Sequence, residues 1–340
     1  MNQGRFYTLK NKNGMEIKLF DYGATLAGVK VPDKDGQFDD VVFGFDDLKG
    51  YVEFNDFFGS TVGRHAGRIG GGRFEIDGTA YQLAVNNGKN HLHGGIKGFD
   101  KVFWNAQELT TKKGNAVSFS YLSPDGEEHY PGNLTVTTVY TLTDANEIII
   151  DMYAVTDKAT PVNLTNHAYF NLSGAGNPSI LDHRLKLNCD FFLPGDEGLI
   201  PTGEVAPVDG TPLDFREFKA IGKEIDADHP STQFGSGYDL ALVVNGKGNE
   251  TVHAASVIDD KSGRRLDVFT NQKALIFYTG NFLKGDFKAK DGKTYPRRSG
   301  FCLEPGAFPD SPNKPWFPNI ILKPGDLYHN QIIFRFSIEN

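Results

Sequence analysis

The sequence predicts an all-β protein, a large antiparallel β-sandwich with few short helices, and three observations carry that prediction. Apolar and polar residues alternate with period two through several stretches, the pattern of strands with one buried face. Asp-Gly pairs and a high content of glycine and proline, 39 and 17 residues, punctuate those stretches and break helices. No stretch sustains a 3.6-residue apolar period over the length of a long helix.

Taken along the chain, "IDGTAY" (76–81) reads as a tight hairpin turn and "SPDGEE" (123–128) as a second Asp-Gly turn. "NLTVTTVYTL" (133–142) sets Leu134, Val136, Thr138, Tyr140 and Leu142 on one sheet face. "RLKLNCDFFL" (184–193) reads the same way through Leu185, Leu187, Cys189 and Phe191. "DFREFKAIGKEI" (214–225) is the best helical candidate, with Phe215, Phe218, Ile221 and Ile225 near helical spacing, although Gly222 predicts that it is short. "QIIFRFSI" (331–338) closes the chain as a strand facing inward through Ile332, Phe334, Phe336 and Ile338.

Two sets of alternating strands must pack sheet on sheet to bury both apolar faces. With no repeat, low-complexity tract or composition break to mark a linker, the expectation is one domain over residues 1–340. The 27 phenylalanines and 13 tyrosines supply a substantial core, which excludes a disordered chain. A formal net charge of −8 argues against a phosphate-backbone partner, so no nucleic acid is expected. Two distant cysteines, Cys189 and Cys302, cannot build a disulfide framework or a four-cysteine zinc site. No run reaches the ~18 apolar residues of a membrane span, and "MNQGRFYTLK" has no apolar signal region. The expectation is a cytoplasmic protein without a membrane partner, unless an export signal has been removed.

Candidate chemistry gathers in four stretches: "GRHAGRIGGGRF" (63–74), "NNGKNHLHGG" (86–95), "NLTNHAYFNL" (163–172) and "GFCLEPGAFPDS" (300–311). His91 and His93, two apart, would share a strand face, a spacing that metal sites use; a third ligand would have to come from His167 or Glu304. Glu304, between Leu303 and Pro305, is either a desolvated base or a strand-end carboxylate facing water. Arg64 and Arg68 are candidates for forked hydrogen bonds to ligand hydroxyls, or for pairing with surface acids. Asp239, beside Tyr238, is either a hydroxyl acceptor or a turn residue. A carboxylate base, histidine acids, an arginine, a second carboxylate and many aromatics, with no phosphate-cradling loop, suit a neutral polyhydroxylated ligand.

The motifs "GRHAGRIGGGRF", "NNGKNHLHGG", "GFDKVFW", "DGEEHYPG", "NLTNHAYFNLSG", "LDH", "PTGE", "GTPLDFRE", "GYD", "FYTGNFL", "SGFCLE" and "FPDSPN", in this order, resemble the aldose 1-epimerase (galactose mutarotase) family from about Asn13 onward. The resemblance implies the galactose mutarotase-like supersandwich and interconversion of the α and β anomers of free hexoses such as galactose or glucose. It implies no cofactor and no metal. By the same resemblance Glu304 is the base at the C1 hydroxyl, His167 the acid at the ring oxygen, and His93 an assistant there. Arg68, Asp239, Asn87 and Tyr278 would bind the sugar. Many relatives carry Asn at the position of Gly67, His at Leu240, Gln at Ile276 and Thr-Gln at Pro305 and Gly306, so this pocket is expected to be less polar than theirs. Physiological sugar and oligomeric state are not legible.

Three other readings compete. A non-catalytic sugar-binding protein would keep the aromatics and Asp239 without needing both Glu304 and His167. A glycoside hydrolase would use two carboxylates, Glu304 and Asp239, and would cleave an aryl glycoside. A sugar-phosphate epimerase would add a cationic clamp, for which Arg297 and Arg298 are the nearest candidates.

Overall fold

The structure, a computed structural model, describes residues 4–54 and 56–339. It is 42% strand and 8% helix, with α-helices confined to Leu48–Glu53 and Pro230–Gln233 among the described residues. No described helix is long and apolar enough to cross a membrane. Every strand pairing between the named strands is antiparallel.

A nine-stranded sheet runs in the spatial order Asn105–Thr110, Gly114–Ser123, Leu134–Thr143, Glu147–Thr156, Tyr328–Ile338, Arg264–Thr270, Val252–Ile258, Arg184–Leu187, Lys219–Ala220. A six-stranded sheet runs Tyr169–Phe170, Phe301–Gly306, Ala274–Tyr278, Asp239–Val243, Phe191–Leu193, Ala206–Pro207, and a four-stranded sheet is formed by the first four strands, from Phe6–Lys10 to Phe38–Asp40. One apolar core joins all three. Leu134, Val136, Tyr140, Ile148, Ile150 and Phe334 enter it from the large sheet, Leu275, Phe277, Phe301 and Leu303 from the second, and Ile17, Leu19, Leu26 and Val29 from the third. The period-two reading holds in the Leu134–Thr143 strand, where all five alternate positions are buried, and through Ile332, Phe334 and Phe336. The "IDGTAY" hairpin also forms: Arg73–Ile76 pairs with Thr79–Gln82 across Asp77 and Gly78, both at positive φ as the twist of a two-residue turn requires.

Two expectations are corrected. "RLKLNCDFFL" is two strands: Arg184–Leu187 lies in the large sheet, and the chain then crosses to the six-stranded sheet as Phe191–Leu193. Asn188 holds the crossing through the carbonyls of Asn245 and His253. The crossing resets the alternation, so Phe191 is 43% exposed and Phe192 is buried. "DFREFKAIGKEI" forms no α-helix. Lys219–Ala220 is an edge strand on Arg184–Leu185, followed by a single 3₁₀ turn at Ile221–Lys223. The amides of Ile221 and Gly222 donate to the carbonyls of His183 and Leu181, which removes them from any helical ladder. Phe215, Ile221 and Ile225 are buried by this packing, without helical periodicity.

The six-stranded sheet is covered on both faces. In Phe301–Gly306 every residue is buried: Phe301 and Leu303 face the central core, while Cys302 and Glu304 face the opposite side. That opposite side is the floor of a cleft.

Candidate active site

Cross-strand register sets the floor of the cleft. Glu304 lies opposite Ile276, which lies opposite Ala241; one step along, Tyr169, Cys302, Tyr278 and Asp239 form a continuous row across four strands. Directly opposed residues share a face, so Glu304, Ile276, Tyr278 and Asp239 come together although they are far apart in sequence. The cleft has a volume of about 1,020 Å³, ample for a small polar ligand and water.

His167 reaches this floor from the run "NLTNHAYFNL". Its main-chain N–H donates to the Ser60 carbonyl, and its carbonyl accepts from Gly59 N–H. Asn166 Nδ2 donates to the Gly59 carbonyl at 2.7 Å, and Asn163 Nδ2 to the Ala66 carbonyl at 2.8 Å. The asparagines of the run therefore bracket the backbone, leaving the histidine as the residue presented to the cleft. His167 Nε2 lies 3.5 Å from Glu304 Oε1, with side-chain exposures of only 6% and 4%.

His93 enters from the loop "HLHGG" at φ 51, a left-handed conformation uncommon for a residue with a Cβ. Gly94, next to it, has no alternative, since a Cβ there would lie 1.7 Å from the Gly63 carbonyl oxygen. Gly67 N–H donates to His93 Nδ1 at 3.2 Å, so the neutral ring carries its proton on Nε2. The His93 and His167 rings meet edge to face, 5.2 Å between centroids, and Phe57 packs on both. Arg68, Asp239 and Asn87 form one cluster: a guanidinium nitrogen lies 3.6 Å from Asp239 Oδ2, and Arg68 Nε donates to Asn87 Oδ1 at 3.2 Å.

Burial sets the electrostatics. It pushes the Glu304 carboxyl well above its ordinary range, Asp239 reinforces the shift, and Arg68 opposes it. Burial pulls His167 down to about 4. His93 is held well below its usual value by desolvation and then by His167 and Arg68. The two histidines and Glu304 thus favour uncharged forms.

All seven residues named from the sequence, Glu304, His167, His93, Arg68, Asp239, Asn87 and Tyr278, line this one cleft. Three other readings change. Arg64 is buried elsewhere, its guanidinium on the carbonyls of Pro131 and Gly132 at 2.9 Å. His91 does not share a face with His93: it bonds the Ala84 carbonyl and the Tyr130 hydroxyl under the loop, because the strand ends at Leu92. Any cation would therefore use His93, His167 and Glu304, whose ligand atoms lie within 4.8 Å of one another. Of the departures from the family pattern, Gly67, Leu240 and Ile276 line the cleft; Pro305 and Gly306 are not among the lining residues. Arg298 pairs with Asp226 and Arg297 bonds the Ser236 carbonyl, so neither forms a phosphate clamp in the cleft.

Sequence reasoning passed over Tyr169, Cys302 and Phe57. The first two carry a signal, each lying two residues from a named catalytic candidate on an alternating segment. Phe57 carries none, since it sits in a loop at φ 61.

A large antiparallel β-sandwich whose sheet floor holds a desolvated carboxyl against an imidazole defines an acid–base enzyme for polar, uncharged ligands. The family model for aldose 1-epimerase matches residues 5–335. The galactose mutarotase of Bos taurus is 47% identical over 324 residues, covering 95% of this chain and 92% of that protein, and the aldose 1-epimerase of Escherichia coli K12 is 38% identical over 337 residues, covering 98% and 96%. An aldose epimerase homologue from C. elegans superposes with a TM-score of 0.90 at 33% identity, covering 99% of this chain and all of that one. The chain belongs to the aldose 1-epimerase family and is an isomerase acting on carbohydrates, with mutarotase activity.

Proposed function

We propose that the substrate is a free aldohexose such as galactose or glucose, with Glu304 as base on the C1 hydroxyl and His167 as acid on the ring oxygen. The observation that carries this reading is the 3.5 Å contact between His167 Nε2 and Glu304 Oε1 inside a desolvated floor. Anomer exchange needs a proton removed from O1 and one delivered to the ring oxygen, and the same steps reversed after rotation about C1–C2. Glu304 and His167 accomplish this if the pair holds one proton in total. Without sugar, burial keeps that proton on Glu304 and leaves the imidazole neutral. An O1–H donated to the carboxylate and a ring oxygen accepting from Nε2–H favour its transfer to His167, giving the carboxylate and imidazolium that react. Atoms balance: O1 gives its proton to Glu304, the ring oxygen takes one from His167, the C1–O5 bond breaks and C1 becomes a carbonyl. His93, presenting Nε2–H, assists at the ring oxygen. Arg68, Asp239 and Asn87 hold hydroxyls, and Tyr278 offers an aromatic wall to the sugar C–H surface.

The name of the Bos taurus relative, galactose mutarotase, supports galactose as a substrate. Ile276, facing the cleft opposite Glu304, supplies no side-chain hydrogen bond to a hydroxyl, which supports looser hydroxyl recognition than in relatives with a glutamine there. Polarimetry on freshly dissolved α-D-galactose and α-D-glucose tests the reading. Wild-type protein should accelerate anomeric equilibration, and His167→Asn should remove about 10²–10⁴-fold of the catalysed rate. A His167→Asn rate equal to wild type would eliminate His167 as the acid.

A further inference from the structure

We propose that Asp56 is a specificity-determining residue of the cleft, accepting a hydrogen bond from a sugar hydroxyl remote from C1. The proposal rests on the cleft taking a free aldohexose. Asp56 lines the cleft with Phe57, Tyr169, Tyr278 and Phe282 and is partly buried. Among the described residues its carboxylate makes no hydrogen bond and no ion pair.

The other carboxylates of the cleft are each accounted for. Asp239 lies 3.6 Å from an Arg68 guanidinium nitrogen, and Glu304 Oε1 lies 3.5 Å from His167 Nε2. Asp196 accepts from the amides of Gly198 and Ile200, and Glu197 is exposed. A charged group drawn partly out of water without a partner costs free energy, so folded proteins pair such groups with protein, water or ligand. In a cleft for a polyhydroxylated ligand the matching donor is a hydroxyl, whose bond to a carboxylate is short and charge-assisted.

The carboxylate is held in place by its neighbour. The Ser60 amide and hydroxyl both donate to the Phe57 carbonyl at 3.0 Å, and the Phe57 ring packs on His93 and His167. Burial raises Asp56 above its ordinary range, Asp286 adds to the shift and Lys284 opposes it. Burial also raises the hydroxyls of Tyr169 and Tyr278, and Asp56 is among the anions that add to that rise, which places it toward the tyrosines of the floor. The charges that act on Glu304 are instead Asp239 and Arg68. Asp56 therefore stands apart from the proton exchange and offers the sugar a hold separate from the Arg68, Asp239 and Asn87 cluster.

The test compares wild type with Asp56→Ala and Asp56→Asn on galactose and its 2-, 3-, 4- and 6-deoxy forms, taking Kd by titration calorimetry and kcat and KM by polarimetry. Alanine should raise Kd and KM for galactose about tenfold or more with kcat within about threefold, as loss of binding shared by ground and transition states requires. Asparagine, an acceptor without charge, should fall between alanine and wild type. At least one deoxy sugar should bind wild type as weakly as galactose binds the alanine variant, and that variant should bind the two sugars within about twofold of each other. A galactose Kd within about twofold of wild type in the folded alanine variant would overturn the proposal. So would an equal loss for galactose and all four deoxy sugars, which would mean a displaced Phe57 loop rather than a lost bond. Wild type that binds galactose without accelerating its equilibration would remove the catalytic reading and leave the Asp56 comparison intact through Kd; wild type that does not bind galactose would overturn both.

Discussion

Replacing Glu304 by glutamine should abolish most catalysis without weakening the fold, and both halves follow from its burial. The side chain is 3% exposed, and its carboxyl faces His167. Glutamine has the same shape, fills the same space and can hydrogen-bond the same imidazole, so packing is preserved. It cannot accept a proton from O1. Loss of a positioned base costs about 10²–10⁴-fold, or about 2.7–5.5 kcal/mol of transition-state stabilisation. The sign of the stability effect follows from the raised pKa. A carboxyl whose folded pKa lies above its unfolded value contributes stability that is fully present below the unfolded pKa and is lost as pH rises through the folded one. As pH rises above the ordinary carboxyl range the wild type therefore loses stability that Glu304→Gln, with no ionisable group at this position, keeps. Thermal unfolding across pH 5 to 9 should show the variant gaining relative to wild type as pH rises, while polarimetry shows its rate collapsing. A catalysed rate within about threefold of wild type would refute Glu304 as the base. A variant that loses stability relative to wild type as pH rises would refute the claim that its carboxylate is uncompensated.

The remaining predictions concern protons, specificity and ions. Because the pair must hold one proton, kcat/KM should be bell-shaped: it falls below about pH 4 as His167 accepts a second proton, and falls again well above the ordinary carboxyl range as Glu304 loses the only one. A rate that instead rises through the alkaline limb would mean that ionised Glu304 works without a shared proton. Leu240 lines the cleft but also belongs to the central core, so Leu240→His should cost about 1–3 kcal/mol through a buried polar group and lower Tm, with kcat little changed. An unshifted Tm would show that the imidazole turns into the cleft instead. Dialysis against EDTA should leave kcat unchanged, and added Zn²⁺ should compete with sugar for His93, His167 and Glu304. Activity lost to EDTA and restored by Zn²⁺ would overturn the acid–base reading.

What the sequence discloses here is local, and what it conceals is pairing. Alternation within Leu134–Thr143 identifies a strand and its buried face because every residue needed is on one segment. The same reasoning fails at 184–193, where the chain changes sheets and the phase slips by one residue. The 214–225 segment shows the converse, apolar spacing near 3.6 produced by a strand edge and a turn whose amides bond to Leu181 and His183. At the site, each motif carries its own reactive residue, but nothing in "SGFCLE" or "FYTGNFL" states that Glu304 faces Ile276 or that Cys302 faces Tyr278. Separating His91 from His93 likewise required knowing that the strand stops at Leu92 and that residue 93 turns left-handed.

The placement of the acid–base pair on a sheet buried on both faces explains why so few polar groups suffice. On the core side, Phe301, Leu303, Leu275 and Phe277 pin the strands, so the opposite face cannot breathe without opening the central core. On the cleft side, Tyr169, Tyr278 and Cys302 belong to a second buried apolar cluster beside Glu304 and His167. A carboxyl and an imidazole held in this way each resist ionisation, yet together they lose little when one proton crosses between them, because the pair stays neutral overall. A reversible reaction with no net charge change is suited by such a site: a strongly stabilised carboxylate would be a poor base, and a strongly stabilised imidazolium a poor acid. On this account the pairing of Arg68 with Asp239 at 3.6 Å matters, because the two charges act on Glu304 in opposite directions and so bias the shared proton less than either would alone.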